Sequence, residues 1–310
     1  MQEMGNTLYL TLLIIISILS LIGCFVLLID YFQQKQNANL AAKLLVILSI
    51  SDAIYVVAVV TNPNPQTDGA FCVIQALFKQ SSSLSTFIVN FFFCLTTYLT
   101  IVENIDITDD KYHKYKRNAK IFSILFPFLI ALIPITYNGY GIQYYACSFK
   151  TQNAYWIGEL LLFFLPFGLL FGSSLYFLLR IQGFLKEIQK NRLGHDDFII
   201  NRRTLMSQNS QITVGEQYTK FLFYYTLVHL FCWLPIIVSS ILDIILERDF
   251  FWFGGISYIL ACSQGFLDFV LFMISKRVSS QSQVYERNNS FLTADPIDIY
   301  RGSVVYNSSL

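Results

Sequence analysis

The sequence predicts an all-α membrane protein, a seven-transmembrane helix bundle with its N-terminus outside. Three observations predict it. Of 310 residues, 55% are apolar, 16% aromatic and only 13% charged, where an ordinary soluble domain carries about 25% charged residues. Seven stretches are apolar enough to cross a bilayer, which takes about 20 such residues. The basic residues lie almost wholly on one side of those stretches, as cytoplasmic loops require. A soluble globule of this composition would have too little polar surface to stay dispersed. The net charge of +1, with the basic residues dispersed, leaves no footprint for nucleic acid.

Span one, 8–29, contains no charge, and span two, 44–60, holds a single acid, Asp52. Span three, 72–102, has one internal cation, Lys79. Span four, 121–137, is uncharged and contains Pro127 and Pro134. Span five, 154–179, contains Glu159 and Pro166. Span six, 221–242, carries His229 and Pro235, and span seven, 250–274, carries Asp268. Backbone polar groups in lipid must be paired internally, so these runs are helices, and interior prolines are tolerated as kinks. A β-barrel would instead show alternating segments of about ten residues. No repeat relates one group of three helices to another, as many transporters show.

With the head 1–7 outside, 18 of the 21 lysines and arginines face the cytoplasm, and only Lys79, Lys150 and Arg248 do not. That head has no basic cluster before its apolar run, so span one reads as a retained anchor. Cys72 and Cys147 both fall on the outer side, where an oxidising compartment permits a disulfide. Such a bond would tie the loop between spans four and five across the bundle. Cys24, Cys94, Cys232 and Cys262 lie inside spans, as small packing residues do.

Catalytic chemistry finds no support. His229 is the one histidine inside a span, so histidines alone cannot build a zinc site. No nucleophile elbow and no phosphate-cradling loop is present, and the last span has no lysine to carry retinal. No cofactor is expected. Ionisable residues within a membrane are expensive and so are functional candidates. Asp52 and Asp268 would form a shared polar centre or recruit a cation such as sodium; otherwise each bonds separately to hydroxyl neighbours. Lys79 pairs with Glu159, faces an outer cavity, or snorkels to the interface. Ser81, Ser82, Ser83 and Ser85 suit a polar pocket or close helix contact. In Cys232-Trp233-Leu234-Pro235, Pro235 frees the carbonyl of Phe231, setting a hinge beside a bulky indole.

Together these features resemble the G-protein-coupled receptor superfamily, and look most like its cyclic-AMP-receptor-like branch. The resemblance rests on Cys72-Val73-Ile74-Gln75 opening span three, on Cys147 with Trp156, on Cys232-Trp233, and on Ser263-Gln264-Gly265-Phe266 in span seven. It covers about residues 8–275. It implies a multi-pass plasma-membrane receptor that binds an extracellular ligand in its outer half and opens its inner half to a heterotrimeric G protein. Gln75 and Trp156 then join Lys79, Glu159 and Trp233 as pocket candidates, and Asp52, Asp268, Trp233 and Pro235 as the switch. No Asp-Arg-Tyr closes span three, where Thr96-Thr97-Tyr98 and Glu103-Asn104 stand, and span seven has Asp268 to Phe272 in place of Asn-Pro-x-x-Tyr. The tryptophan expected within span three of that branch is missing.

The loop 181–217 carries more basic than acidic residues and suits a transducer. After Ile274 the chain turns polar. Ser279, Ser280, Ser282, Ser290, Thr293, Ser303, Ser308 and Ser309 make the tail 276–310 a cytoplasmic candidate for phosphorylation. Asn288 and Asn307 sit in glycosylation patterns on that same side, so they should stay unmodified. The alternative reading is a seven-helix transporter of a small polar solute, with Lys79, Glu159, Asp52 and Asp268 along its path.

Overall fold

The computed structural model describes residues 2–33, 40–63, 65, 67–103, 105, 113–143, 146–150, 155–193, 202–246 and 251–277. Among them, seven helices are long and apolar enough to cross a membrane: Thr7–Gln33, Ala42–Thr61, Ala70–Ile101, Lys114–Tyr137, Tyr155–Ile188, Phe223–Asp243 and Trp252–Arg277. They are spans one to seven in order. The helix carrying span six is far longer than its apolar part and covers Arg202–Leu246. Hydropathy sees only the lipid-facing stretch of a helix, whereas its backbone hydrogen bonds continue into polar sequence. Contacts group the chain into two units, Met1–Phe269 and Val270–Leu310. In the second, the Lys276 ammonium lies 5.9 Å from the centre of the Phe272 ring. The tail serines and threonine named above, both glycosylation patterns and residues 194–201 of the long loop lie outside the described residues.

Span three is the axis of the first unit. It is 56% buried, against 17% for span five. That depth explains its hydroxyl run, because each serine finds a carbonyl. Ser82 donates to Phe78 O at 2.7 Å, Ser83 to Gln80 O at 2.9 Å and the exposed Ser81 to Phe78 O at 3.2 Å. Back-bonding of this kind satisfies a hydroxyl without widening the helix, so neighbouring helices approach closely.

The same span repairs the helices that proline interrupts. Proline has no N–H and so orphans the carbonyl four residues earlier. Pro127 orphans Ser123 O, and Ser85 on span three donates to it at 2.7 Å. Ser85 in turn accepts from Ser51 on span two at 2.9 Å. Pro166 orphans Leu162 O, and Gln80 reaches it at 3.4 Å. Ahead of Pro166 the helix widens into a π turn, Leu160–Phe164, closed by the Leu165 N–H to Leu160 O. Span four ends in a 3₁₀ turn, Ile133–Tyr137, around Pro134. There the missing bond falls on Ala131 O, which takes the Tyr140 hydroxyl at 2.8 Å.

A two-stranded hairpin covers one end of the bundle. Strands β1 (Tyr140–Gln143) and β2 (Ala146–Phe149) pair antiparallel, with Tyr140 opposite Phe149 and Ile142 opposite Cys147. Asn138 enters the hairpin at φ 53°, a left-handed conformation that asparagine tolerates better than most side chains. Cys147 is bonded to Cys72 at the head of span three, their Cα atoms 5.3 Å apart. Gln75, one turn on, accepts the Cys147 N–H at 3.3 Å and donates to Ala58 O at 2.8 Å and Asn62 O at 3.0 Å. Asp68 accepts the Ile142 N–H at 2.9 Å and meets Lys150 at 3.7 Å. Burial pushes the Tyr140 phenol above its usual ionisation range.

Spans one and seven meet through glycine. A Cβ on Gly23 would stand 2.9 Å from Gly265 O, and one on Gly265 would stand 2.6 Å from Cys24 Sγ and from Ser20 Oγ. Span seven turns at Ser263 just before this contact. The small residues set the distance between the two helices.

Candidate functional site

Under the hairpin lies a narrow cavity of about 20 Å³, room for about one water molecule. Span three contributes Lys79, Gln80 and Ser83, span five Glu159 and Phe163, and span seven Tyr258. Gln143 and Ser148 reach it from the hairpin, and Trp233 and Ser240 from span six. Lys79 is only 6% exposed, so it does not snorkel to the interface. It donates to the Tyr258 hydroxyl at 3.1 Å and stands 4.6 Å from the centre of that ring. Tyr258 is itself bonded to Ser148 of the hairpin. Glu159, 3% exposed, lies beside Ser240 and within the field of Lys79. No direct salt bridge joins Lys79 and Glu159 among the described residues; Lys79 is held by the Tyr258 hydroxyl, and both side chains line the same space.

Trp233 closes the cavity towards the bundle centre. Its ring packs edge-on against Tyr55 and Phe87, with both pairs of centroids 5.1 Å apart, and tilted against Phe163 at 6.2 Å. Phe87 also meets His229 edge-on at 4.8 Å, which accounts for that histidine as a packing residue of span six. Edge-on pairs suit the ring quadrupoles, so this box holds the indole in one orientation.

Below the box the polar core begins. The indole N–H of Trp233 donates to Gln264 Oε1 at 2.5 Å, and Gln264 Nε2 donates to Asp52 Oδ1 at 3.1 Å. An indole N–H can only donate, so it fixes which way the Gln264 amide points. Asp52 Oδ1 also accepts from Thr86 at 3.2 Å. Asp52 and Asp268 interact carboxyl to carboxyl. Tyr225 of span six donates to Asp268 O at 3.1 Å. Spans two, three, six and seven thus share one buried hydrogen-bonded chain, and one of its ends lines the cavity.

The structure brings Lys79, Glu159 and Trp233 to one cavity and Asp52 and Asp268 to one polar centre. Gln75 does not reach the cavity; it clamps the hairpin to spans two and three. Trp156 is half-buried and outside the lining. Pro235 sits inside the span-six helix, two residues past Trp233. Sequence reasoning missed Tyr258, Ser240 and Gln143 as partners in the cavity, and the bridging role of Gln264. Tyr258 and Ser240 carry no signal in an aromatic-rich, serine-rich chain. Gln264 did, as an uncharged polar residue four positions before Asp268 on the same helix.

The slime mold cyclic AMP receptor family matches residues 1–280. No curated protein sequence matches the chain. Among solved structures, squid rhodopsin superposes with a TM-score of 0.73 at 16% identity, covering 86% of this chain and 77% of that one. At that identity the likeness establishes the seven-helix fold. The family match, which spans all of the described residues, establishes more: this multi-pass membrane protein belongs to the slime mold cyclic AMP receptor family, a G-protein-coupled-receptor-like family.

Proposed function

We propose that the chain is a plasma-membrane receptor that binds an extracellular ligand in the Lys79–Glu159 cavity and passes a conformational change to a heterotrimeric G protein. The observation that carries this reading is the double duty of Trp233. Its ring lines the cavity, and its N–H begins the hydrogen-bonded chain to Gln264 and Asp52, whose carboxyl interacts with Asp268. A ligand that displaces the indole must break or re-aim the Gln264 amide, and so changes the partners of the carboxyl pair. That is a differential contact between two states, which a ligand needs in order to shift a population. The hairpin end and the head 1–7 lie outside, and the basic loops and the tail 276–310 lie in the cytoplasm. The basic inner loop docks the transducer. Asp52 and Asp268 sense sodium or pH, and Asn at either position alters that sensitivity.

The test is nucleotide exchange on a heterotrimeric G protein in membranes holding the purified receptor. Cyclic AMP, the compound in the family's name, leads the ligand panel. Ligand-dependent exchange that is lost in Trp233→Ala supports the reading. Solute flux into receptor liposomes without any exchange would instead make the chain a transporter, with the two buried polar clusters as stations along its path. Tags at both termini accessible from one face of intact cells would overturn the topology.

A further inference from the structure

The helix carrying span four, His113–Leu132, opens with four cations in seven residues, Lys114, Lys116, Arg117 and Lys120. No acid occurs from 113 to 137. The preceding acids are Glu103, Asp106, Asp109 and Asp110; Glu103 accepts the Tyr98 hydroxyl, and the other three lie outside the described residues. Packing fixes which face of the helix turns inward. Ala119, Ser123, Pro127 and Ala131 recur at steps of four and are buried, and Ser123 O takes the Ser85 hydroxyl of span three. Tyr115 meets Thr96 of span three through its hydroxyl at 3.3 Å and Phe92 through its ring. The opposite face is therefore the lipid-facing one. There Lys114, Arg117, Ile121, Leu125 and Phe128 follow at steps of three or four, all exposed, so they form one stripe.

Among the described residues neither Lys114 nor Arg117 forms an ion pair. Arg117 and Lys114 stand about 6 and 10 Å along the axis beyond Ile121, where the apolar run begins. The headgroup layer is about 5–7 Å deep on each side of the hydrocarbon, and long basic side chains reach to it. Insertion demands cations on the inner side, but it does not decide which way they turn. These two turn towards lipid, in line with the side chains that meet the acyl tails. An arginine fork beside an ammonium matches the oxygens of a phosphate. An acidic protein segment would use the cations and leave the apolar stripe idle, whereas a phospholipid uses both. We propose that this stripe holds an anionic phospholipid of the cytoplasmic leaflet, its phosphate on Lys114 and Arg117 and an acyl chain along Ile121, Leu125 and Phe128. This rests on the topology given above, and not on the identity of the ligand or the transducer.

The test uses the full-length purified protein in detergent. Phosphatidylcholine, phosphatidylserine and phosphatidylglycerol are added in turn, bound lipid is counted by native mass spectrometry, and the unfolding midpoint is followed. A cation near an anionic headgroup gives about a fivefold gain, so the two anionic lipids should bind about 25-fold more tightly than phosphatidylcholine. Lys114→Gln and Arg117→Gln should each lose about fivefold, and the double variant should bind all three lipids alike. Lys186→Gln with Lys190→Gln removes the same charge from exposed positions of the span-five helix and should leave the ratio unchanged. Glycerophosphoserine, the head group without tails, should leave the midpoint unmoved. The proposal is overturned if anionic and neutral lipids bind equally, if the Lys186 and Lys190 pair matters as much, or if the tailless head group stabilises as well as the lipid. Binding in detergent does not depend on which end of span four faces the cytoplasm, so its failure is separate from a failure of the topology, which the terminal tags report.

Discussion

Replacing Trp233 with phenylalanine keeps a ring in the aromatic box and deletes the N–H that Gln264 accepts at 2.5 Å. Both residues are sealed from solvent, at 3% and 2% exposure, so Gln264 Oε1 loses its donor without replacement. An orphaned polar atom in a soluble core costs about 1–3 kcal/mol. Interhelical hydrogen bonds in membranes average about 0.6 kcal/mol with a ceiling near 1.7. The short distance and full burial place Trp233→Phe at about 1–1.7 kcal/mol. Gln264→Leu should cost about 2–3 kcal/mol, because it orphans the indole and also removes the 3.1 Å donor to Asp52. In the double variant the indole bond is already gone at both ends. Its loss should fall short of the sum of the two single losses by about 1 kcal/mol, beyond the 0.3–0.5 kcal/mol scatter of independent sites. Thermal unfolding of the purified protein reads this, at about 2–4 °C per kcal/mol. Strictly additive shifts would refute a bond between these two side chains, and with it the path from cavity to polar core.

Three further outcomes follow from the packing. Ser85→Ala should lower stability by about 1 kcal/mol, and by less in a Pro127→Ala background, where the restored N–H meets Ser123 O; unfolding midpoints of the four proteins decide it. Gly23→Ala pushes a methyl to 2.9 Å from Gly265 O and should cost about 1–3 kcal/mol as overpacking, seen as a lower midpoint with unchanged helicity by circular dichroism. Opening the disulfide releases a loop with a sequence separation of 75, worth up to about 4 kcal/mol. A reducing agent should then shift the parent protein and leave the Cys72→Ala, Cys147→Ala double variant unmoved.

The seven spans were legible in the sequence because lipid imposes one rule on every segment: backbone groups must pair within it. Apolar length therefore announces each helix, and Asp52, Lys79, Glu159 and Asp268 stand out as exceptions to that apolarity. The two outer cysteines were legible for a similar reason, since topology alone places them on one side. What the linear chain does not encode locally is which exceptions meet. Lys79 reaches Tyr258 across 179 positions and Gln264 reaches Asp52 across 212. Distances like these depend on helix rotation and on the approach of spans one and seven at Gly23 and Gly265. The proline repairs show the same division. Pro127 and Pro166 mark two interruptions in the sequence, but only packing brings Ser85 and Gln80 to the freed carbonyls. Membrane insertion is a property of each segment by itself, whereas the cavity and the polar core belong to contacts among four or more segments, and those exist only once the helices have packed.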